Sequence, residues 1–170
     1  PPTISSISPL EGSPGDIITI NGDHFDDRDM SYNEVLFGDS FNPAMRGQVL
    51  SASQTQLTAS VPNLAITGPI YVRAHGLTGV SADTFTVLPR INWINPTCLG
   101  IGSTLYVYGS GFTSDANNQL YIRLGNGPWR YADVSDPSLV RQILRPGDTS
   151  GQVQLRMGLN GQVVTSNQTI

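Results

Sequence analysis

Lysine is absent from this chain and glutamate nearly so: all nine basic residues are Arg, and of thirteen acids only Glu11 and Glu34 are not Asp. Residues that favour exposed helix are therefore scarce, which argues against a helical protein. Cys98 is alone, so no intrachain disulfide can form. The two histidines, His24 and His75, stand in no HxH, HExxH or CxxC context, and no glycine-rich phosphate loop precedes a helix. A nucleophile with its base, a paired carboxylate or a metal cluster is needed for catalysis, and the sequence presents none, so the expectation is a protein that is not an enzyme. No run is long or apolar enough for a helix to cross a bilayer, so no membrane insertion is expected. A net charge of −4 with no basic stripe disfavours a nucleic-acid partner, and none is expected. The opening Pro1-Pro2-Thr3 reads as a mature or trimmed terminus.

What the chain has in quantity is turn chemistry: 18 Gly and 12 Pro among abundant Ser, Thr and Asn, with only 13% charged residues. That composition suits many short strands joined by tight turns. The chain also repeats itself. A shift of 87 positions carries Ile4, Ile7 and Pro9 onto Ile91, Ile94 and Pro96, then Gly15, Ile18, Ile20, Gly22 and Phe25 onto Gly102, Leu105, Val107, Gly109 and Phe112. Without a gap it carries Val35, Phe37 and Gly38 onto Ile122, Leu124 and Gly125. The offset then slips to 83, where Gly68, Ile70, Val72 and Arg73 meet Gly151, Val153, Leu155 and Arg156. Within each half, apolar residues alternate with polar ones at the period of a half-buried strand. Ile18 and Ile20 oppose Thr19 and Asn21; Leu57, Ala59 and Val61, then Ile70, Val72 and Ala74, then Phe85 and Val87 follow suit. Leu105 and Val107, Leu120, Ile122 and Leu124, and Val153, Leu155 and Met157 repeat the scheme. About seven short strands per half, each with one apolar face, predict a sandwich of two antiparallel sheets in each of residues 1–88 and 89–170.

The segment Ile4-Ser5-Ser6-Ile7-Ser8-Pro9-Leu10-Glu11-Gly12-Ser13-Pro14-Gly15, followed by a strand and then Gly22 and Phe25, resembles the opening of IPT/TIG domains. Val35-Leu36-Phe37-Gly38 is similar to that family's V-x-F-G strand. The resemblance covers residues 3–88 and weakens over 91–170, where Thr97-Cys98-Leu99-Gly100-Ile101-Gly102 has lost the first turn glycine. It implies two tandem immunoglobulin-like sandwiches of the early-set type, which lack an interior disulfide. The junction Val87-Leu88-Pro89-Arg90-Ile91 leaves two or three residues between modules, stiffened by Pro89, and predicts a rod-like segment.

Two stretches carry candidate binding chemistry. In the acidic loop Asp23–Asp29, alternate oxygens of Asp27, Asp29, Ser31 and Asn33 form a candidate calcium cage of hard ligands, the one cofactor the sequence suggests. The pattern lacks the fixed glycine and distal glutamate of an EF-hand; the competing reading is a solvated loop whose Asp residues cap turns. Its counterpart, residues 113–118, is polar but barely charged. The other stretch is aromatic. With Leu105 and Val107 inward, Tyr106 and Tyr108 face outward, where the first half has Thr19 and Asn21. Tyr121 lies opposite the inward pair Leu120 and Ile122, and Trp129 and Tyr131 share one face of their strand. Outward Tyr and Trp suit sugar stacking or protein contact. Against this, Tyr favours strands in any case, and Trp129 also reads as core.

The leading expectation is a non-catalytic extracellular or cell-surface module, a spacer or adhesion segment of a larger surface, filament or virion protein. Its partners would be other subunits or neighbouring domains. The alternative is a carbohydrate-binding accessory module that contacts polysaccharide. An intracellular regulatory role, known for this family, sits poorly with the acidic balance and the missing basic loops.

Overall fold

Ile18, Ile20, Leu57, Ala59, Ile70 and Val72 lose all contact with solvent, so the alternation does divide an inner from an outer face. The structure, a computed structural model, describes residues 1–113 and 119–170. The chain divides into two compact units, Pro1–Val87 and Leu88–Ile170. The loop residues 114–118, part of the counterpart to the acidic loop, lie outside the described residues.

The first unit contains strands β1 (Thr3–Ser8), β2 (Glu11–Gly12), β3 (Ile17–Asp23), β4 (Asn33–Phe37), β5 (Arg46–Gly47), β6 (Val49–Ala52), β7 (Gln56–Ser60), β8 (Gly68–Ala74) and β9 (Leu77–Val87). They form two sheets, ordered β1-β3-β7-β6 and β2-β9-β8-β4-β5. The only helical turns among the described residues are two 3-10 segments, Met30–Tyr32 and Pro43–Met45, each capped by an Asx side chain. The second unit contains β10 (Arg90–Asn95), β11 (Thr104–Ser110), β12 (Leu120–Leu124), β13 (Arg130–Tyr131), β14 (Val134–Asp136), β15 (Leu139–Ile143), β16 (Gln152–Met157) and β17 (Val163–Thr169). Its sheets run β10-β11-β15-β14 and β13-β12-β16-β17. Both units are immunoglobulin-like β-sandwiches, and each closes on its own apolar cluster.

One pairing departs from the all-antiparallel expectation: β2 pairs parallel with β9. The chain leaves the first sheet after Ser8 and joins the second, where it runs alongside the last strand in the same direction. In the second unit Leu99 occupies the place of Gly12. A Cβ on Gly12 would lie 3.3 Å from the Phe85 ring. The second unit has Ile170 where Phe85 stands, and both Leu99 and Ile170 pack against its core. A small residue beside a large ring has been exchanged for two of middling size that pack at the margin of the core.

The last strand of each unit is pinned the same way. The buried Ser81 hydroxyl accepts from the Ile70 N–H at 2.9 Å and donates to the Asp83 carbonyl at 2.6 Å. Ser166 does the same with Val153 (2.9 Å) and Gln168. A buried hydroxyl with both its donor and acceptor functions used carries little desolvation cost.

Candidate functional site

The outward tyrosines of β11 meet an aromatic residue on the neighbouring strand. Trp93 on β10 pairs across from Tyr108 just after a register shift between Ile91 and Trp93. The two rings are parallel within 7°, with centroids 4.0 Å apart. Neighbouring strands lie about 4.8 Å apart, so rings this close stand up from the sheet and lie flat against one another. β10 is the edge strand of its sheet. Tyr108 therefore covers one face of the indole, while Trp93 remains 47% exposed. The stack contributes about 0.5–1.5 kcal/mol and fixes both rotamers. Beside it, Tyr106 lies between Asn95 and Arg141 in register, and the Arg141 Nε donates to the Ser135 hydroxyl at 2.9 Å. Polar donors thus border a flat apolar platform. Trp93 was readable from the sequence, since Ile94 points inward and Trp93 must oppose it.

Tyr121 and Tyr131 belong to the other sheet of the same sandwich, so their face points away from that of Tyr106 and Tyr108; Trp129 lies just ahead of β13 and not on the strand as expected. The five expected contact residues therefore fall on two opposite faces. Tyr121 pairs across from Tyr131, with ring centroids 4.9 Å apart. A hydrogen bond with Tyr131 is the first cause that raises the Tyr121 phenol above its usual range, and burial adds to it. Trp129 is half-buried on the outer surface under two guanidinium groups, Arg156 at 4.2 Å and Arg123 at 4.9 Å from its ring centre. Tyr131 remains exposed at 66%. Neither arginine was singled out from the sequence for this site, because only folding places β12 and β16 side by side.

The residues expected to cage calcium make hydrogen bonds within and around the loop. Asp27 Oδ2 accepts from Gln54 at 3.0 Å. Asp29 caps the 3-10 turn by accepting from the Ser31 N–H, and the Ser31 backbone and hydroxyl hold its carboxyl below the usual range. Asn33 is buried and exchanges hydrogen bonds with the Asp26 main chain at 2.9 and 2.7 Å. Among the described residues no three His, Cys, Asp or Glu side chains converge on a metal-sized site.

The same loop builds a different arrangement around Asp26. Its buried carboxylate accepts two hydrogen bonds from the Arg28 guanidinium, at 3.0 and 2.6 Å, and lies 3.3 Å from His75 Nδ1. The Arg28 bond, against the opposing effect of burial, lowers the Asp26 pKa to about 2. A cleft of about 510 Å³ is lined by both His24 and His75 together with Phe25, Asp26, Arg28 and Leu77. Both histidines hold left-handed backbone, with φ of 64° and 53°. Two residues 51 positions apart in sequence line one cleft here because β3 and β8 end at the same end of the sandwich.

The comparisons with known proteins concern the fold first. The surface glycan-binding protein PbSGBP-B from Prevotella bryantii has a TM-score of 0.55 at 16% identity, over 99% of this chain and 42% of that one. An auxiliary nutrient binding protein from Bacteroides thetaiotaomicron scores 0.47 at 13% identity, over 99% of this chain and 59% of that one. In sequence, a cyclomaltodextrin glucanotransferase of Paenibacillus macerans is 26% identical over 172 residues, which cover 96% of this chain. This chain spans only 23% of that protein's length. No helix among the described residues is long and apolar enough to cross a membrane. Residues 2–87 and again 89–170 match the IPT/TIG domain, and the chain belongs to that family as two tandem copies.

Proposed function

We propose that this tandem pair is a non-catalytic module of a larger extracellular or cell-surface protein that works on polysaccharide, with carbohydrate contacted by the second unit. The observation that carries this reading is the Trp93–Tyr108 stack, a preorganised and solvent-facing ring bordered by hydrogen-bonding side chains. A pyranose ring presents axial C–H groups that suit a flat indole face, and a fixed rotamer reduces the entropy lost on binding. A glucanotransferase and a glycan-binding protein among the similar proteins support the same ligand class.

The first unit fits the spacing and positioning role expected of a surface module. Its corresponding outer positions are closed by their own hydrogen bonds, Asn21 to Ser6 and Gln56 to Asn21. The test is affinity electrophoresis of the whole chain through gels containing soluble starch, xyloglucan or other neutral glucans. Retention on at least one is expected, weakened about thirtyfold by Trp93→Ala, as the loss of a ~2 kcal/mol anchor implies. Migration unaffected by every neutral glucan removes the carbohydrate reading and leaves the spacer role.

A further inference from the structure

The outer face of the sheet β13-β12-β16-β17 differs from its counterpart in the first unit in which charges it carries. There, Glu34 lies between two arginines: one oxygen accepts from Arg46, and the other accepts from Arg73 at 2.8 Å. Arg73 also donates to the Ser40 carbonyl at 2.9 Å. The internal repeat sets Tyr121 in the place of Glu34, Trp129 in that of Arg46 and Arg156 in that of Arg73. Register confirms the match, since Glu34 pairs across from Arg73 and Tyr121 across from Arg156. The carboxylate is gone and one of its guanidinium partners remains.

Arg156 is left against aromatic rings, 5.7 Å from the centre of Tyr121 and 4.2 Å from that of Trp129. Its Nε is buried and has no hydrogen-bond partner. Arg123 adds a second guanidinium over Trp129 and, among the described residues, donates only to the Gln154 amide oxygen. Neither arginine takes part in an ion pair among the described residues. A guanidinium keeps its charge at any working pH, and its fork of donors matches a carboxylate. The neighbouring Tyr121 phenol, raised above its usual range, supplies no compensating charge. The wider field has the same sign: residues 88–170 carry six Arg against four acids, whereas residues 1–87 carry three against nine. An anion is drawn to the second unit.

We infer that this face, formed by Arg123, Arg156, Tyr121, Trp129 and Tyr131, binds a carboxylate-bearing sugar unit of an acidic polysaccharide. The carboxylate pairs with Arg156 as the Glu34 carboxylate pairs with Arg73 in the first unit. The exposed Tyr131 ring beside it offers the flat surface a pyranose needs. A bare acidic side chain of a protein would use the guanidinium groups but leave that ring idle, which is why the saccharide is favoured. The site is separate from the Trp93 platform on the opposite sheet, and it stands or falls without it.

The test is affinity electrophoresis through polygalacturonate and through its fully methyl-esterified form, which keeps the sugar and removes the charge. Retention by the acid polymer is expected, diminishing as salt rises and absent on the ester. Arg156→Gln should weaken it about tenfold to a hundredfold. Tyr121→Glu restores the missing carboxylate, pairs it with Arg156 and should close the site with the fold retained by circular dichroism. Trp93→Ala should leave this binding unchanged even where it abolishes retention by neutral glucans. The inference is overturned by no retention on polygalacturonate, by equal retention on the ester, or by retention undiminished in both Arg156→Gln and Tyr121→Glu. Displacement by a poly-glutamate peptide at lower carboxylate concentration than by galacturonate oligomers overturns it in favour of a protein partner.

Discussion

The cores of the two units are built to one plan, but the outer surfaces of their sheets are not. On the first unit's outer sheet face, Ser6, Asn21 and Gln56 sit side by side on β1, β3 and β7 and join hands through amide and hydroxyl groups at 3.0 and 2.9 Å. The matching row in the second unit is Trp93, Tyr108 and Leu139, without one hydrogen-bonding side-chain atom apart from the phenol and the indole N–H. The first row satisfies itself. The second leaves apolar surface facing water, which natural surfaces tolerate best where a partner covers it. Inward positions have little freedom because each must fill a fixed volume, whereas outward ones can change chemistry with no cost to the fold. Two copies of one scaffold can thereby divide spacing and contact between them.

If the cores are truly equivalent, the same lesion should harm both alike, and this is the largest effect expected. A Cβ on Gly22 would overlap the Thr3 carbonyl, and one on Gly109 the Arg90 carbonyl, at the same place beside the first strand's register shift. In both cases the Phe25 or Phe112 ring closes the space from the other side. Gly22→Ala and Gly109→Ala should each cost about 3 kcal/mol, since hydrogen-bonded main chain cannot step aside. Urea titration followed by circular dichroism measures both. A loss confined to one variant would show that the cores have diverged along with the surfaces.

That equivalence was largely open to reading in the sequence. Ile18 and Ile20, or Leu105 and Val107, declare the inner face through the period of two, and the 87-residue shift declares the repeat. The paired Ser81 and Ser166 were not visible, because the offset there has slipped to 85 and a serine in a strand carries no periodic signal. The binding surfaces were half visible. Alternation put Tyr106, Tyr108 and Tyr121 outside, but it says nothing about which sheet a strand joins, so the five aromatics could not be sorted into two faces. Arg123 and Arg156 acquire meaning only when β12 lies beside β16. The acidic loop's own bonding was also hidden: alternate oxygens in sequence suggest a cage, but sequence does not show that Asp29 and Asn33 bond to nearby main chain.

The loops at the strand ends give a second contrast, confined to acid. Asp26 in the first unit holds Arg28 and His75, and Thr113 stands at the matching place in the second. A carboxyl whose pKa falls to about 2 on folding stabilises the native state fully above its unfolded value near 3.9. That contribution disappears as pH drops through the folded value. The urea midpoint of the wild type should therefore fall between about pH 4 and pH 2. Asp26→Asn should start lower at neutral pH and converge with the wild type at the acid end. Both tryptophans lie in the second unit, so their fluorescence reports that unit while circular dichroism reports both. An acid shift of equal size in the two signals would refute the assignment to Asp26.

The smallest effect bears most directly on how contact is achieved. A double-mutant cycle of Trp93→Ala and Tyr108→Ala should give a coupling of about 0.5–1.5 kcal/mol, the value of a well-aligned ring pair. The corresponding cycle of Ser6→Ala and Asn21→Ala should give about 0.2–0.5 kcal/mol, because water replaces an exposed hydrogen bond readily. Urea titration resolves the larger of these. The difference matters because a coupled ring is already held in its binding rotamer, so a ligand that stacks on it orders nothing further. A coupling at Trp93–Tyr108 no larger than that at Ser6–Asn21 would mean the indole swings free of the tyrosine in solution. The second unit would then own exposed aromatic area without the preorganisation that makes such area a binding site.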